Sequence, residues 1–364
     1  MRLSRRALLA AGAVVAIRPN LAWAETDGGT GPRFLATWRA PGGAYEAGVL
    51  DARGVVQESM TLPDRAHGMT CDAAGRRAVV FARRPGTFAV VLDARTAAPL
   101  HEISAAPGRH FYGHGTFSAD GRLLYAAEND YDGERGVVGV YDAAAGFARI
   151  GEMDSHGVGP HEVRLHADRR TLVVANGGIL THPAAPRAKL NVASMAPSVA
   201  FLDAADGRLR HKATPPDAWH KLSLRHVDVA PDGLVVAVAQ WEGEALEHPP
   251  LVATCRLGAP LRFLEAPEMV LARMDNYCGA VAFSADGETI GVTAPRGNLA
   301  AVWRRDGRFL GAHELPDTCA IDAAEGRDFF LAGGDGGTAD IDGTAMHALT
   351  RSQRRFDNHL RRIG

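Results

Sequence analysis

One phrase recurs along this chain and limits what it can fold into. Its fullest copy is His114-Gly115-Thr116-Phe117-Ser118-Ala119-Asp120-Gly121, a histidine, a short apolar run and a turn. A second apolar run, Leu123 to Ala127, follows at once. The phrase returns at 67–75, 161–169 and 226–233. It returns without the histidine at 280–287 and with a cysteine at 319–326. A truncated copy, His359-Leu360-Arg361-Arg362-Ile363, ends the chain. The starting positions 67, 114, 161, 226, 280, 319 and 359 are 39 to 65 residues apart. Self-similarity at about 40–50 residues, with short strands and tight turns, is the mark of propeller blades.

The expected fold is therefore all-β, a seven-bladed β-propeller. Six blades are read as four strands each, from residues 67, 114, 161, 226, 280 and 319 onward. The sixth has its third strand at 338–341 and a poor fourth strand near 346–349. Residues 34–62 supply three strands without an innermost one, and 359–363 supply an innermost strand alone. Joining them closes the ring and removes exposed sheet edges. Arg351 to Arg355 reads as a solvated connector. The chain has 41 glycines, which suits many tight turns. Repeats override the prior that 364 residues make two or three domains. One propeller is expected to fill 25–364.

Residues 1–24 read as an export signal. Arg5-Arg6 precedes the apolar run Ala7 to Ile17, and Ala22-Trp23-Ala24 offers a small-x-small cleavage site. The run is too short to span a bilayer, and no later segment is long and apolar enough. Twin-arginine export and a periplasmic location are expected. The net charge of −2 gives no global basic field for nucleic acid. Cys71, Cys255, Cys278 and Cys319 form no CxxC pair, so spacing argues against structural zinc. They read as buried small hydrophobes, with a Cys278–Cys319 bridge as the alternative.

In a propeller the innermost strands line the central channel. The first residue of each would sit at one mouth. Five of the seven equivalent positions are His67, His114, His161, His226 and His359. One histidine per repeat is often structural. Five in one register point to a metal or metal-bearing ligand, because imidazole is the commonest metal-binding side chain. Imidazole suits iron, copper, zinc and nickel alike. Polar residues at the same mouth are expected to support the cluster: Glu128, Asn176, Arg225, Gln240, Arg296, Cys319 and Asp357. Carboxylates among them would fix histidine tautomers. The insertion at 177–197 would cap this face. No GxSxG, HExxH, P-loop or EF-hand pattern is present, and no catalytic residue is assigned.

Several segments together resemble domain-of-unknown-function family 1513. They are the twin-arginine leader, His114-Gly115, Gly159-Pro160-His161-Glu162, Met195-Ala196-Pro197-Ser198, Leu224-Arg225-His226, Thr293-Ala294-Pro295-Arg296-Gly297 and Phe356-Asp357-Asn358-His359. The resemblance covers nearly all of the chain after the leader. It implies a periplasmic seven-bladed propeller, with genes resembling parts of iron-acquisition clusters. Imelysin-like and di-haem periplasmic proteins would be the partners. The expected function is an iron-acquisition propeller that holds iron or copper through the histidine arc. A protein-interaction scaffold with structural histidines is the second reading. A metal-dependent oxidase or lactonase-like hydrolase at the same mouth is the third, and a binder is favoured over an enzyme.

Overall fold

The computed structural model describes residues 33–185, 188–324 and 330–363. The expected export signal, 1–24, lies outside them. Almost every element is a strand. The first three are β1 (Arg33–Arg39), β2 (Tyr45–Leu50) and β3 (Val56–Thr61). Five antiparallel four-stranded sheets follow, each made of consecutive strands. They are β4 (Ala66–Cys71), β5 (Arg77–Ala82), β6 (Phe88–Asp93) and β7 (Pro99–Ser104); then β8 (Arg109–Phe117), β9 (Leu123–Asp130), β10 (Arg135–Asp142) and β11 (Ala148–Asp154). Next come β12 (Pro160–Leu165), β13 (Thr171–Asn176), β14 (Ser198–Asp203) and β15 (Leu209–Ala213). The fourth is β16 (Leu222–Val229), β17 (Val235–Trp241), β18 (Val252–Cys255) and β19 (Arg262–Leu264). A short helix, α1 (Glu268–Arg273), precedes the fifth: β20 (Ala280–Phe283), β21 (Thr289–Ala294), β22 (Leu299–Arg304) and β23 (Phe309–Glu314). The chain ends in β24 (Ala320–Ala323), β25 (Phe330–Ile341) and β26 (Met346–Ile363). Among the described residues no helix is long and apolar enough to cross a membrane.

The sixth sheet corrects the expected blade count. It has six strands in the order β24-β25-β26-β1-β2-β3. The propeller therefore has six blades rather than seven. Two local features merge what the repeats had suggested were two separate blades. First, Gly333-Gly334-Asp335-Gly336-Gly337 makes no turn. Gly336 (φ +92°) and Gly337 (φ +145°) absorb a bulge where Asp335 pairs Arg355 and Gly337 pairs Arg351, so β25 continues through. Second, Arg351 to Arg355 is strand rather than connector. β26 pairs with β25 over its first half and with β1 over its second. The expected meeting of the chain ends is formed, with Phe34 opposite Arg362 and Arg39 opposite Arg355.

The sequence explains the strands locally. Inner strands are mostly buried, whereas outer strands such as β3 and β7 are mostly exposed. Valine-rich second and third strands face neighbouring sheets on both sides, as in Ala78-Val79-Val80-Phe81 against Ala89 to Leu92. Between the first two four-stranded sheets, Phe81, Phe111, Leu124 and Tyr141 pack as one cluster. The recurrent turn demands a left-handed residue. Gly121 supplies it at φ +70°, and Arg169 takes φ +61° at the same place in the copy that starts at His161. All four cysteines are free thiols, so no Cys278–Cys319 bridge exists. Burial pushes the thiols of both residues up, away from thiolate chemistry.

Candidate metal centre

Strands β4, β8, β12 and β16 and the second half of β26 bring five histidines together. His67, His114, His161, His226 and His359 are all buried. Nine of their ten ring pairs have centroids between 4.6 and 6.0 Å apart. They are not the first residues of their strands, as the repeats suggested; His114 lies well inside β8 and His226 inside β16.

Each of these five strands breaks its ladder at the histidine. His161 is an extra residue between Pro160, opposite Asn176, and Glu162, opposite Ala175. Arg225 is extra beside His226, between Leu224 and the histidine. The register also shifts between Ala66 and Met69, between Phe111 and Gly115, and where β26 passes Thr37 between Ala36 and Trp38. The inner strands without a histidine, β20 and β24, pair with no shift. A bulge re-aims side chains that a regular strand would alternate between faces. Close packing of the rings also needs glycine. A Cβ on Gly68 would lie 2.4 Å from His114 Nδ1, and one on Gly113 would lie 2.6 Å from His67 Cδ2.

Polar contacts reach only part of the cluster. His67 Nε2 and His161 Nε2 are 3.3 Å apart. His226 Nδ1 lies 3.1 Å from Glu162 Oε2, and His114 Nδ1 lies 3.6 Å from Glu162 Oε1. Glu162 also accepts from Arg164 Nε at 2.6 Å and from the Val227 N–H at 3.3 Å. Four ring nitrogens, His67 Nδ1, His114 Nε2, His161 Nδ1 and His359 Nε2, are buried with no partner. Leaving a buried polar group unpaired costs about 1–3 kcal/mol.

The electrostatics keep the cluster neutral. Burial first, then the neighbouring imidazoles, holds His67, His161 and His359 well below the usual imidazole range. Burial drives His114 down to about 3 despite the pull of Glu162. Burial outweighs the Glu162 hydrogen bond at His226 as well, and lowers it. For Glu162 burial acts upward, but Arg164, His114 and His226 overcome it and hold the carboxylate ionised. Neutral imidazoles and one carboxylate form a donor set of the kind that holds transition metals. Candidate ligand atoms of His67, His114 and His161 lie within 4.8 Å of one another, as do those of His67, His226 and His359 and of His114, Glu162 and His226.

Above the histidines is a cavity of about 310 Å³, lined in part by His67, His161 and His226. Arg225, Gln240 and Arg296 line it too. Lys189 of the 177–197 insertion reaches the same cavity and pairs with Glu242. Asp357 is buried nearby, but it holds Arg65 in a two-pronged ion pair of 2.7 and 2.8 Å rather than a histidine. Three other residues expected at the mouth do not line the cavity. Glu128 accepts from Tyr141 Oη and Arg149 inside its own sheet, at 2.5 and 2.9 Å. The Asn176 side chain donates to the Ser155 carbonyl. Cys319 donates its thiol to the Phe356 carbonyl. Glu162 and Arg164 are the contributors that sequence reasoning missed. Glu162 lies in the motif Gly159-Pro160-His161-Glu162 and Arg164 just beyond it, but neither position carries a local signal of its role.

The profile of a family described as "Protein of unknown function (DUF1513)" matches residues 60–363. The chain belongs to this family. DUF1513 membership spans every histidine of the cluster. No curated protein matches the chain. Among solved structures, hydrazine synthase of Kuenenia stuttgartiensis is similar with a TM-score of 0.65 at 16% identity, over 83% of this chain and 90% of that one. The likeness is one of fold.

Proposed function

We propose that this DUF1513 member is a periplasmic metal-binding propeller of iron acquisition, exported folded through the twin-arginine route. Iron or copper is held by the histidine cluster. The observation that carries this reading is the set of buried, neutral imidazoles whose candidate ligand atoms lie within 4.8 Å of one another in overlapping groups of three. Two nitrogens each about 2.0–2.1 Å from one ion at a tetrahedral angle stand roughly 3.3 Å apart. The His67–His161 separation of 3.3 Å supports that arrangement. Glu162 would act from behind, fixing His226 with Nδ1 as donor and Nε2 free. Calcium and magnesium, which prefer oxygen donors, fit this set poorly. Iron acquisition and the imelysin-like or di-haem partners rest on the family resemblance alone.

The test is metal content and affinity of protein matured through its native export route. Elemental analysis should find bound iron or copper, and His161→Ala should lower the affinity at least tenfold. Glu162→Gln should lower it about 10–100-fold, as for other residues that orient a metal-bound histidine. Native protein that neither carries nor takes up either metal would overturn the reading.

A further inference from the structure

The cavity above the histidines carries the wrong charge for a bare cation. Five cationic side chains line it, Arg83, Arg84, Lys189, Arg225 and Arg296, against the single carboxylate of Glu242. That carboxylate is already engaged by Lys189 and, at 3.6 Å, by Arg225. Arg83 has only Asn358 at 3.4 Å and the edge of Asp357 at 3.9 Å, where Arg65 holds the carboxylate first. Arg84 makes no hydrogen bond or ion pair among the described residues, and Arg296 is held only by stacking on the Tyr277 ring at 4.5 Å. Like charges this close repel, and a guanidinium is built to take an oxyanion through two parallel N–H groups. The remaining lining, Tyr112, Gln240, Asn276 and Asn358, offers further hydroxyl and amide groups. The volume is at the small end of small-molecule pockets, about 300 Å³ upward.

We infer that this vestibule is a binding site for a small multivalent oxyanion, a polycarboxylate or a phosphate, held by Arg84, Arg225 and Arg296. The anion site stands on its own lining. Its consequence for transport rests on the proposed metal function: a metal reaches the histidines as an anionic chelate, or together with an anion that neutralises the arginines. A bare cation would have to pass several positive charges at short range, where little water screens them.

The experiment is calorimetric titration of the metal-free mature protein with citrate, inorganic phosphate and acetate. Citrate or phosphate should bind saturably and more tightly than acetate, and added salt should weaken the binding. Arg84→Gln and Arg296→Gln, both at solvent-accessible positions, should each weaken it about tenfold or more. Thermal melts of both variants check that they fold. Citrate favoured over phosphate assigns the polycarboxylate source, and the reverse assigns phosphate. Saturable binding by neither ion, or binding indifferent to both substitutions, overturns the inference. His114→Ala, away from the cavity lining, separates the two proposals: it should lose metal and keep the oxyanion.

Discussion

His114 sets the energetic character of the site. Its folded-state value of about 3 lies far below the ordinary 6.5 of a free imidazole. Between those values the unfolded chain binds the proton and the folded chain does not. Stability is therefore full above pH 6.5 and drains away as pH falls toward 3. His67, His161, His226 and His359 are depressed in the same direction, and Glu162, held below its ordinary 4.5, adds to the loss under more acid conditions. Urea unfolding at pH 7, 5.5 and 4 should show a drop of several kcal/mol for this coupled set. A pH-independent midpoint across that range would contradict the neutral, buried cluster. Gly68 gives a second check. A methyl there meets His114 Nδ1 at 2.4 Å and the Gly113 carbonyl at 2.5 Å. Gly68→Ala should cost about 1–3 kcal/mol through overpacking and should weaken metal uptake, read by the same unfolding and metal-binding assays. An alanine variant with unchanged stability and uptake would mean that the rings have room to spare.

At the scale of elements, the bulged inner strand is the device that turns a repeat into a site. It also marks where the sequence stops being legible. Five four-stranded sheets follow from alternating apolar runs between Asp-Gly turns, because side-chain period and turn chemistry are local. The convergence of the five histidines follows from the repeat itself. The partnership of Glu162 with His226 does not follow, since regular alternation sends Glu162 to the face opposite His161. Only the extra residue in the ladder re-phases it, and a bulge leaves no local signal in Pro160-His161-Glu162. The Gly-rich stretch before Gly337 misled for the same reason: glycine permits a turn or a bulge, and pairing with β26 decides for the bulge. Glu128 was expected at the mouth because its strand ends there, yet Tyr141 and Arg149 draw it back into its sheet. The second half of β26 carries the largest structural prediction. Cutting the chain after Arg355 removes Phe356, Leu360 and Ile363 from the core and strips β1 of a partner. Each buried side chain contributes about 1.5–3 kcal/mol, against a total stability of about 5–15 kcal/mol. The shortened protein should lose its cooperative thermal transition, measured by circular dichroism. A retained sharp transition would show that the other five sheets hold together without ring closure.

Across the whole molecule, the net charge of −2 conceals a polarised centre. Positive side chains gather at the vestibule, while the histidine layer beneath them stays neutral and carries one ionised carboxylate matched to Arg164. Such a centre suits a guest that brings its own negative charge, and it couples occupancy to the stability of the entire fold. Every histidine comes from a different inner strand, so a bound ion would tie together four four-stranded sheets and the six-stranded one. A ligand that binds only the folded state stabilises it by about 2.7 kcal/mol at a hundredfold excess over its dissociation constant. Iron or copper should therefore raise the melting temperature by several degrees, with citrate present to supply the anion. A chelator should reverse the rise. His161→Ala and His359→Ala should each abolish it, although their residues are nearly 200 positions apart in sequence. His211→Ala, whose ring is already bonded to the Ala259 carbonyl on the outer side of its sheet, should leave it intact. That contrast separates a common centre from scattered surface binding: a shift lost equally in all three variants, or absent in the native protein, would remove the central site from the account of what this fold is for.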